Sequence, residues 1–343
     1  MNLKLSPKWF PLAAIAASVL AAAAIAVAAL LFLPYSIPVP GGVEVILERG
    51  TPPGRLASEL KARSVIANEN AFRAAVKLTG ASRHLQAGRY HFEGRISNYA
   101  VIRRIRRGVT ADVTVTLPEG STARRVSGIL AREFGVDSAS CLETIQNPEF
   151  CGACGIDAPS LEGYLYPDTY RFPAGTTVES MLRTMAERFN EVFSDSLRMR
   201  SGQLGFSVHQ TVILASIIEG EAVLDSERPV ISAVYHNRLR KGMALQACPT
   251  VQYLLPGGPR RLLNRDLAIA SPYNTYLHPG LPPGPVNNPG RKSLVAALYP
   301  APTGYLYMVA NGDGSHTFSA TLDEHNSAKR RFNEVRRNQK YGR

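Results

Sequence analysis

The sequence predicts an α+β protein with a single N-terminal transmembrane helix, a small module of repeated strand and helix, and a larger domain of mixed α+β structure. Three observations lead to this prediction. An uncharged apolar stretch covers residues 12–33, a strand–turn–helix pattern occurs at residues 43–66 and again at 113–136, and from residue 161 glycine- and proline-rich loops alternate with helical patterns. The length of 343 residues corresponds to about two domains beyond the apolar stretch.

The apolar stretch at residues 12–33 is long enough to cross a membrane. As a helix with a rise of about 1.5 Å per residue it is roughly 33 Å long, which exceeds a hydrocarbon core of about 30 Å. Lys4 and Lys8 precede it, and the next charged residue is Glu44. The positive-inside rule then leaves residues 1–11 in the cytoplasm and exports the rest of the chain. A cleaved signal peptide is the alternative, although its apolar region usually has about 7–15 residues.

Net charge and location together indicate the class of partner. Lys and Arg outnumber Asp and Glu by 39 to 27, and the formal net charge of +12 favours an anionic partner. Export argues against nucleic acid, and the sequence has no helix-turn-helix, zinc-finger or RNP-type signature. In a bacterial envelope the anionic polymer is the cell wall with its peptide carboxylates. We therefore expect a single-pass protein of the bacterial inner membrane with its bulk in the periplasm.

The exported part is predicted to contain a linker and two domains. Residues 34–42 form a Pro/Gly-rich linker, residues 43–158 an N-terminal α/β module, and residues 159–343 the larger domain. Each copy of the repeat predicts a strand, a turn and a helix, capped in the second copy by Ser121 or Thr122. The copies are expected to pack together and resemble LysM-like wall-binding modules. Two similar packing units without a ligand are the alternative.

A basic helix is predicted between the two copies of the repeat. It contains Arg103, Arg104, Arg106 and Arg107. A charge run of this kind is usually a solvated face, and contact with the anionic wall is the alternative. Helical periodicity in the larger domain predicts helices over residues 177–193, 209–223 and 230–240, and a basic surface helix over 323–340.

One segment of the larger domain is predicted to be a stiff loop. Residues 271–290 contain six prolines and three glycines, which excludes a helix or an inner strand. The loop displays Tyr273, Asn274 and Tyr276. Aromatic rings and amides on a stiff loop suit sugar recognition, and a loop packed only for stability is the alternative.

Four cysteines, Cys141, Cys151, Cys154 and Cys248, lie in the exported part, where disulfides can form. The spacing of Cys151 and Cys154 also fits a redox pair or half of a zinc site, but the sequence lacks a second CxxC and a nearby His pair. Structural disulfides near Cys141 are the favoured interpretation, and their connectivity stays open. No metal and no cofactor is predicted.

Carboxylates are the candidates for chemistry, since neither G-x-S-x-G nor H-E-x-x-H occurs. Glu219 and Glu221 lie on the predicted helix at 209–223 and point about 200° apart. Glu221 continues an apolar stripe, so loss of solvation is expected to raise its pKa and suit it as a general acid. Glu219 is left for hydrogen bonding or an ion pair. Gly220 is a candidate helix end, and two surface glutamates are the structural alternative.

Six segments in order resemble one protein family. They are LEGYLYPDTYRF (161–172), ILASIIEGEA (213–222), ERPVISAVYHNRLRKGMALQ (227–246), PTVQYLL (249–255), SPYNTYLHPGLPPGPVNNPG (271–290) and DGSHTFSATLDEHN (313–326). The chain resembles the endolytic murein transglycosylase, or YceG-like, family from Val43 to the C-terminus. The resemblance implies an inner-membrane lytic transglycosylase that cleaves peptidoglycan strands internally, limits their length and associates with wall-synthesis (penicillin-binding) proteins.

The resemblance also implies roles for particular residues. Glu221, the second glutamate of the SIIExE motif, would protonate the oxygen between N-acetylmuramic acid and N-acetylglucosamine, and the muramoyl 6-hydroxyl would then form a 1,6-anhydro end. Candidate substrate-binding residues, each with a purely structural alternative, are Glu162, Tyr166, Asp168, Glu219, Asn237, Gln246, Tyr273, Asn274, Tyr276 and His316. The family usually has Asp where this chain has Cys248. A water-using muramidase and a non-catalytic wall-binding scaffold are the competing functions.

Overall fold

The computed structural model describes residues 10–48, 50–108, 112–173, 175–258 and 260–341. The chain divides into two compact units, one formed by residues 1–113 and 171–176 and the other by residues 114–170 and 177–343. Most of the predicted cytoplasmic tail, residues 1–11, lies outside the described residues. The predicted boundary after residue 158 lies inside the second unit, and the limits of the functional domains stay a prediction.

The first unit begins with a long apolar helix, α1 (Phe10–Phe32). Its segment Ala14–Phe32 is long and apolar enough to cross a membrane, and none of that segment is buried inside the protein. Alanine and leucine favour the helix, and Pro34 follows its end and opens strand β1 (Pro34–Ser36). The helix predicted at residues 12–33 is therefore confirmed.

Three helices and two two-stranded sheets form the core of the first unit. The elements after β1 are β2 (Val43–Leu47), α2 (Pro53–Ala62), α3 (Glu69–Leu78), β3 (Gly88–Phe92), β4 (Arg95–Ser97) and α4 (Asn98–Arg107). β2 pairs antiparallel with β3, and β1 pairs antiparallel with β4. The amphipathic helices bury their apolar faces in one cluster, which includes Leu56, Phe72 and Ile102. The predicted basic helix is α4.

The repeat is present as local structure in both copies. The second copy consists of β5 (Asp112–Thr116) and α5 (Ala123–Phe134), and Thr122 caps α5 by accepting a hydrogen bond from the Arg125 amide at 3.3 Å. β5 pairs with β6 (Thr169–Pro173), whereas the strand of the first copy pairs with β3. Each strand thus takes its partner from outside the repeat, and the expected packing of the two copies against each other stays a prediction.

The second unit is mainly helical. Its remaining elements are α6 (Ser138–Ile145), α7 (Pro148–Ala153), α8 (Val178–Val192), α9 (Asp195–Gln203), α10 (Val208–Glu221), α11 (Arg228–Arg240), α12 (Cys248–Gln252), α13 (Arg291–Leu298), β7 (Tyr307–Ala310), β8 (His316–Ser319) and α14 (Leu322–Tyr341). β7 and β8 pair as an antiparallel hairpin. The predicted helices at 177–193, 209–223, 230–240 and 323–340 correspond to α8, α10, α11 and α14.

Helix α10 is the central element of this unit. A capping box between Ser207 and Gln210 fixes its start. Every residue from Thr211 to Ile218 is buried, because α11, α12 and α13 all pack on this helix. A helix buried on all sides holds its terminal residue in a fixed position, and the terminal residue here is Glu221.

Gly220 lies inside α10 and does not end it. A β-carbon at this position would lie 2.6 Å from the β-carbon of Pro249 in α12, which is closer than real contacts allow. Glycine therefore lets α12 approach the last turn of α10. The expectation that Gly220 marks the helix end is wrong, and the reason for the glycine is packing.

The four cysteines are free thiols, so the expected structural disulfides are wrong. Cys141, Cys151 and Cys154 are buried in the second unit, where burial raises their pKa values. They behave as small apolar core residues. Among the described residues, no group of three or more His, Cys, Asp or Glu could hold a metal ion.

Candidate active site

Glu221 lies at the end of the apolar stripe of α10, next to the fully buried Leu214, Ile217 and Ile218. Burial raises the pKa of Glu221 to about 7, and the positive charges of His316 and Arg238 oppose this rise. No hydrogen bond from the described residues contributes to the pKa of this carboxyl. The direction predicted from the helix face is confirmed, and near neutral pH the group exchanges its proton readily.

We use the term Glu221 cluster for six side chains that interact electrostatically around this carboxyl: Glu221, Tyr235, Arg238, Cys248, Tyr276 and His316. Within it, Cys248 Sγ lies 3.3 Å from the hydroxyl of Tyr276. Burial raises the pKa values of Cys248 and Tyr276, and the neighbouring Glu221 raises them further. Cys248 therefore lies within electrostatic reach of the candidate acid.

Tyr235 was not singled out from the sequence. It lies on α11, is fully buried, and its hydroxyl has no hydrogen-bond partner among the described residues. Burial and the charges of Glu221 and Cys248 raise its pKa well above the ordinary value. Burying a hydroxyl without a hydrogen-bond partner costs about 1–3 kcal/mol of stability. A hydrogen bond from a ligand, or from a side chain that moves, would therefore stabilise this group.

His316 is held by a carboxylate that sequence reasoning also missed. The imidazole Nδ1 lies 2.7 Å from Glu227 Oε2, and the His316 backbone amide donates to Glu227 Oε1 at 2.9 Å. Both side chains are nearly buried, with 8% and 14% exposed. Because Glu227 engages Nδ1, Nε2 is the ring nitrogen left for other contacts.

Arg238, the third missed residue, is fixed by the backbone. It donates to the carbonyls of Leu306 at 2.6 Å and Leu245 at 2.8 Å, and its guanidinium lies 5.5 Å from the centre of the Tyr307 ring. Gln246 is exposed, and its Oε1 lies 3.5 Å from Arg238 Nη1, a weak hydrogen bond. The backbone of Gln246 is in the left-handed region, with φ of 50°. The three missed residues all lie in the family-like segment 227–246: Glu227, Tyr235 and Arg238. That segment is the sequence signal that could have identified them.

Glu219 points away from Glu221 and forms an ion pair, as its helix face predicted. Its Oε2 lies 3.3 Å from Arg228 Nη1 and accepts a hydrogen bond from the Gly290 amide at 3.1 Å. Only 7% of the Glu219 side chain and 8% of the Arg228 side chain are exposed. This carboxylate is neutralised and hydrogen-bonded, so it links α10 to the starts of α11 and α13.

Glu162 is a second buried carboxyl whose pKa burial raises to about 7. Its two oxygen atoms accept hydrogen bonds from the Ala123 amide at 2.9 and 3.0 Å, and the Tyr253 hydroxyl and the Asn288 amide lie at 3.3 and 3.4 Å. It thus caps the start of α5. Tyr273 belongs to the same group, with its ring centre 5.2 Å from that of Tyr253.

Asn237 and Asn274 are buried, and their amides are used internally. Asn237 donates to the carbonyls of Thr303 and Tyr305 at 2.9 and 2.8 Å, and Asn274 donates to those of Leu267 and Ile269 at 3.0 and 2.9 Å. The side-chain oxygen Oδ1 of Asn274 also accepts a hydrogen bond from the Tyr276 backbone amide at 3.0 Å. These bonds hold the segments that carry the Glu221 cluster.

Tyr166 and Asp168 form another group around Arg188. Arg188 Nε donates to Asp168 Oδ2 at 3.0 Å, and its guanidinium lies 5.9 Å from the centre of the Tyr166 ring. The candidate residues therefore fall into distinct groups. His316 and Tyr276 join Glu221, Glu162 joins Tyr273, and Tyr166 joins Asp168.

Comparisons with known proteins place this site in a family. Residues 45–331 match the YceG-like family. The chain belongs to the YceG-like family. The resemblance seen in the six sequence segments is confirmed, and Glu221 lies inside the matched region.

The relatives of the YceG-like chain include characterised proteins and a solved structure. The chain is 34% identical over 306 residues to the endolytic murein transglycosylase of Bacillus subtilis strain 168, covering 84% of each. It is 27% identical over 271 residues to the endolytic murein transglycosylase of Streptococcus pneumoniae serotype 2, covering 70% of this chain and 49% of that one. A crystal structure of a YceG-like protein from Listeria monocytogenes is 32% identical with a TM-score of 0.59, and the match covers 84% of this chain and 99% of that one.

Proposed function

We propose that this protein is an endolytic murein transglycosylase with Glu221 as its single catalytic acid and base. The observation that carries the proposal is a carboxyl with a pKa of about 7, left without hydrogen bonds from the described residues, in a family whose relatives bear this name. Glu162 has a similar pKa, but its oxygen atoms are engaged at the start of α5. The proposed reaction needs only one free carboxyl group, whereas ordinary glycosidases use two.

The proposed reaction uses one carboxyl group twice, first as an acid and then as a base. Glu221 donates it to the oxygen between N-acetylmuramic acid and N-acetylglucosamine, and the bond from that oxygen to the muramoyl anomeric carbon breaks. The oxocarbenium-like centre is attacked by the 6-hydroxyl of the same sugar, and the Glu221 carboxylate accepts the hydroxyl proton. The products are a 1,6-anhydro end and a free N-acetylglucosamine hydroxyl, with no water consumed.

Other members of the Glu221 cluster would assist this cycle. We propose that Glu227 positions His316, whose charge stabilises the Glu221 carboxylate after proton donation. Arg238, fixed by backbone carbonyls, acts in the same direction. The Tyr235 hydroxyl, which lacks a partner among the described residues, would donate to the Glu221 carboxylate or to a sugar oxygen.

The other candidate residues would shape the cleft. We propose that the exposed Gln246 and the partly buried Tyr273 and Tyr276 contact sugar, as implied by the family motifs. Asn237 and Asn274, whose amides are used by the backbone, would hold these loops. Glu162, Tyr166, Asp168 and Glu219 would position the elements around the cleft.

The membrane anchor and location are further parts of the proposal. The apolar segment Ala14–Phe32 supports a single span of the bacterial inner membrane, with the chain after α1 in the periplasm. Wall binding by the LysM-like repeat is inferred from the repeat pattern, whereas association with wall-synthesis proteins and control of strand length are inferred from the family resemblance. Peptidoglycan is the proposed substrate.

Product analysis of digested sacculi tests the activity. Full-length protein should release fragments whose muramoyl ends are lighter by one water than those made by a hydrolase, as read by mass spectrometry. Glu221→Gln should abolish these fragments, whereas Glu187→Gln, which changes an exposed glutamate on α8, should not. Ends with a free reducing group would identify a muramidase, and binding to sacculi without any cleavage by the unaltered chain would identify a scaffold.

A further inference from the structure

The basic run of α4 lies next to the end of the membrane-length helix. The Asn98 side chain at the start of α4 donates to the Leu30 carbonyl in the last turn of α1 at 2.9 Å. The next residue, Tyr99, has its ring centre 5.2 Å from that of Phe32. The pairing of β1 with β4 ties the chain after α1 to the chain before α4. The first turn of α4 is therefore fixed at the C-terminal end of α1.

Three of the four arginines on α4 are free to bind a partner. Arg103, Arg106 and Arg107 are exposed, α4 contains no acidic residue, and no ion pair to these three occurs among the described residues. Arg104 is different, because it donates to the His91 carbonyl at 2.7 Å and lies 5.7 Å from the centre of the Phe92 ring. The helix thus uses one arginine for its own packing and presents the others to solvent.

The geometry of α4 keeps these charges close to the end of α1. Tyr99, Arg103 and Arg106 are four and three residues apart and share one helix face. Arg106 lies about 10 Å along the helix axis from Tyr99, at about 1.5 Å per residue. Arg107 lies about 12 Å along the axis from Tyr99, so whatever the tilt of α4 the three arginines stay within about 12 Å, measured along the axis, of the residue whose ring contacts α1. This is close to one Debye length, about 10 Å at 0.1 M salt.

We propose that Tyr99, Arg103, Arg106 and Arg107 form a docking face for the anionic lipid headgroups of the bilayer that α1 enters. The proposal rests on the proposed membrane anchor but not on the proposed catalysis. Guanidinium groups bind phosphate oxygens through paired hydrogen bonds, and tyrosine rings favour the membrane–water interface. The position of this face favours lipid headgroups over the cell wall, the other anionic partner considered for α4. The face begins at the end of α1, where the headgroups of the membrane lie. Docking would hold the first unit against the membrane surface.

Arginine footprinting of the full chain tests this docking. The protein is placed in nanodiscs of phosphatidylcholine, with or without phosphatidylglycerol, and phenylglyoxal modification is followed by peptide mass spectrometry. Arg103, Arg106 and Arg107 should react at least threefold more slowly when phosphatidylglycerol is present, and 1 M salt should remove the difference. The exposed Arg55 on α2 should react equally in both discs.

A charge-reversal pair gives a matched control. In the double variant Arg103→Glu and Arg106→Glu, protection of Arg107 should disappear, whereas Arg55→Glu should leave it intact; circular dichroism should show equal helix content. Equal rates in both kinds of disc would overturn the proposal, as would protection by soluble wall fragments without protection by phosphatidylglycerol. A chain that does not enter nanodiscs would overturn the anchor and this docking together, while sacculus digestion reports separately on the activity.

Discussion

Replacing Glu221 by glutamine removes a carboxyl that the fold keeps protonated. Burial raises its pKa from the usual 4.5 to about 7. The folded state therefore binds a proton between these pH values that the unfolded chain has released, so stability decreases as pH rises through this window. At about 1.4 kcal/mol per pKa unit, the penalty above pH 7 is at most about 3.5 kcal/mol. Glutamine does not ionise in this pH range, so the variant does not lose stability in this way as the pH rises.

The measurement is a comparison of melting temperatures and rates at two pH values. The melting temperature of Glu221→Gln minus that of the unaltered protein should be greater at pH 8 than at pH 4.5. The increase should be at most roughly 7–14 °C, using roughly 2–4 °C per kcal/mol for a domain of this size. Turnover of sacculi should fall by about 10²–10⁴, the usual contribution of a general acid. The unaltered enzyme should lose activity above pH 7, where Glu221 ionises.

One control variant separates this effect from a general loss of charge, and two outcomes would refute the reasoning. Glu187→Gln makes the same chemical change at an exposed site and should alter neither the pH dependence of stability nor the turnover. The reasoning would be refuted if Glu221→Gln kept more than a tenth of the activity. A melting-temperature difference that stayed the same at pH 4.5 and pH 8 would show that the Glu221 carboxyl is hydrated as in an unfolded chain.

Four further substitutions test the surroundings of Glu221. Tyr235→Phe should leave stability equal or higher, since it removes a hydroxyl with no partner among the described residues, yet lower turnover at least tenfold; a parallel loss of both would indicate a structural role. Glu227→Gln should lower turnover about tenfold and change the NMR chemical shift of the His316 ring, because Glu227 Oε2 lies 2.7 Å from its Nδ1, and an unchanged chemical shift would contradict the positioning role. Cys248→Asp should move the activity loss above pH 7 to higher pH, because a second negative charge disfavours ionisation of Glu221, whereas Cys248→Asn should not. Gly220→Ala should destabilise the protein by about 1–3 kcal/mol in urea unfolding, since its β-carbon would meet Pro249, and an unchanged midpoint would refute the packing argument.

Local patterns in the sequence were sufficient for the individual elements. The uncharged stretch at 12–33 predicted α1, and the apolar periodicity at 209–223 predicted α10 to within two residues. The stripe of Leu214, Ile217 and Ile218 also predicted that Glu221 follows fully buried apolar side chains and that its pKa is raised. These predictions succeed because helical spacing alone decides which side chains share a face.

Tertiary packing decided the partners of those elements and of the site residues. Glu227 and His316 are 89 residues apart, and Glu162 and Tyr253 are 91 apart, so no spacing rule links them. The unpaired Tyr235 hydroxyl, the free thiols and the separate strand pairing of the two repeat copies likewise depend on which surfaces meet. The sequence by itself determined helices such as α1, α8 and α10 and the helix face that carries Glu221, because these follow from neighbours along the chain. The environment that holds Glu221 at a pKa of about 7 was decided only by contacts between distant segments.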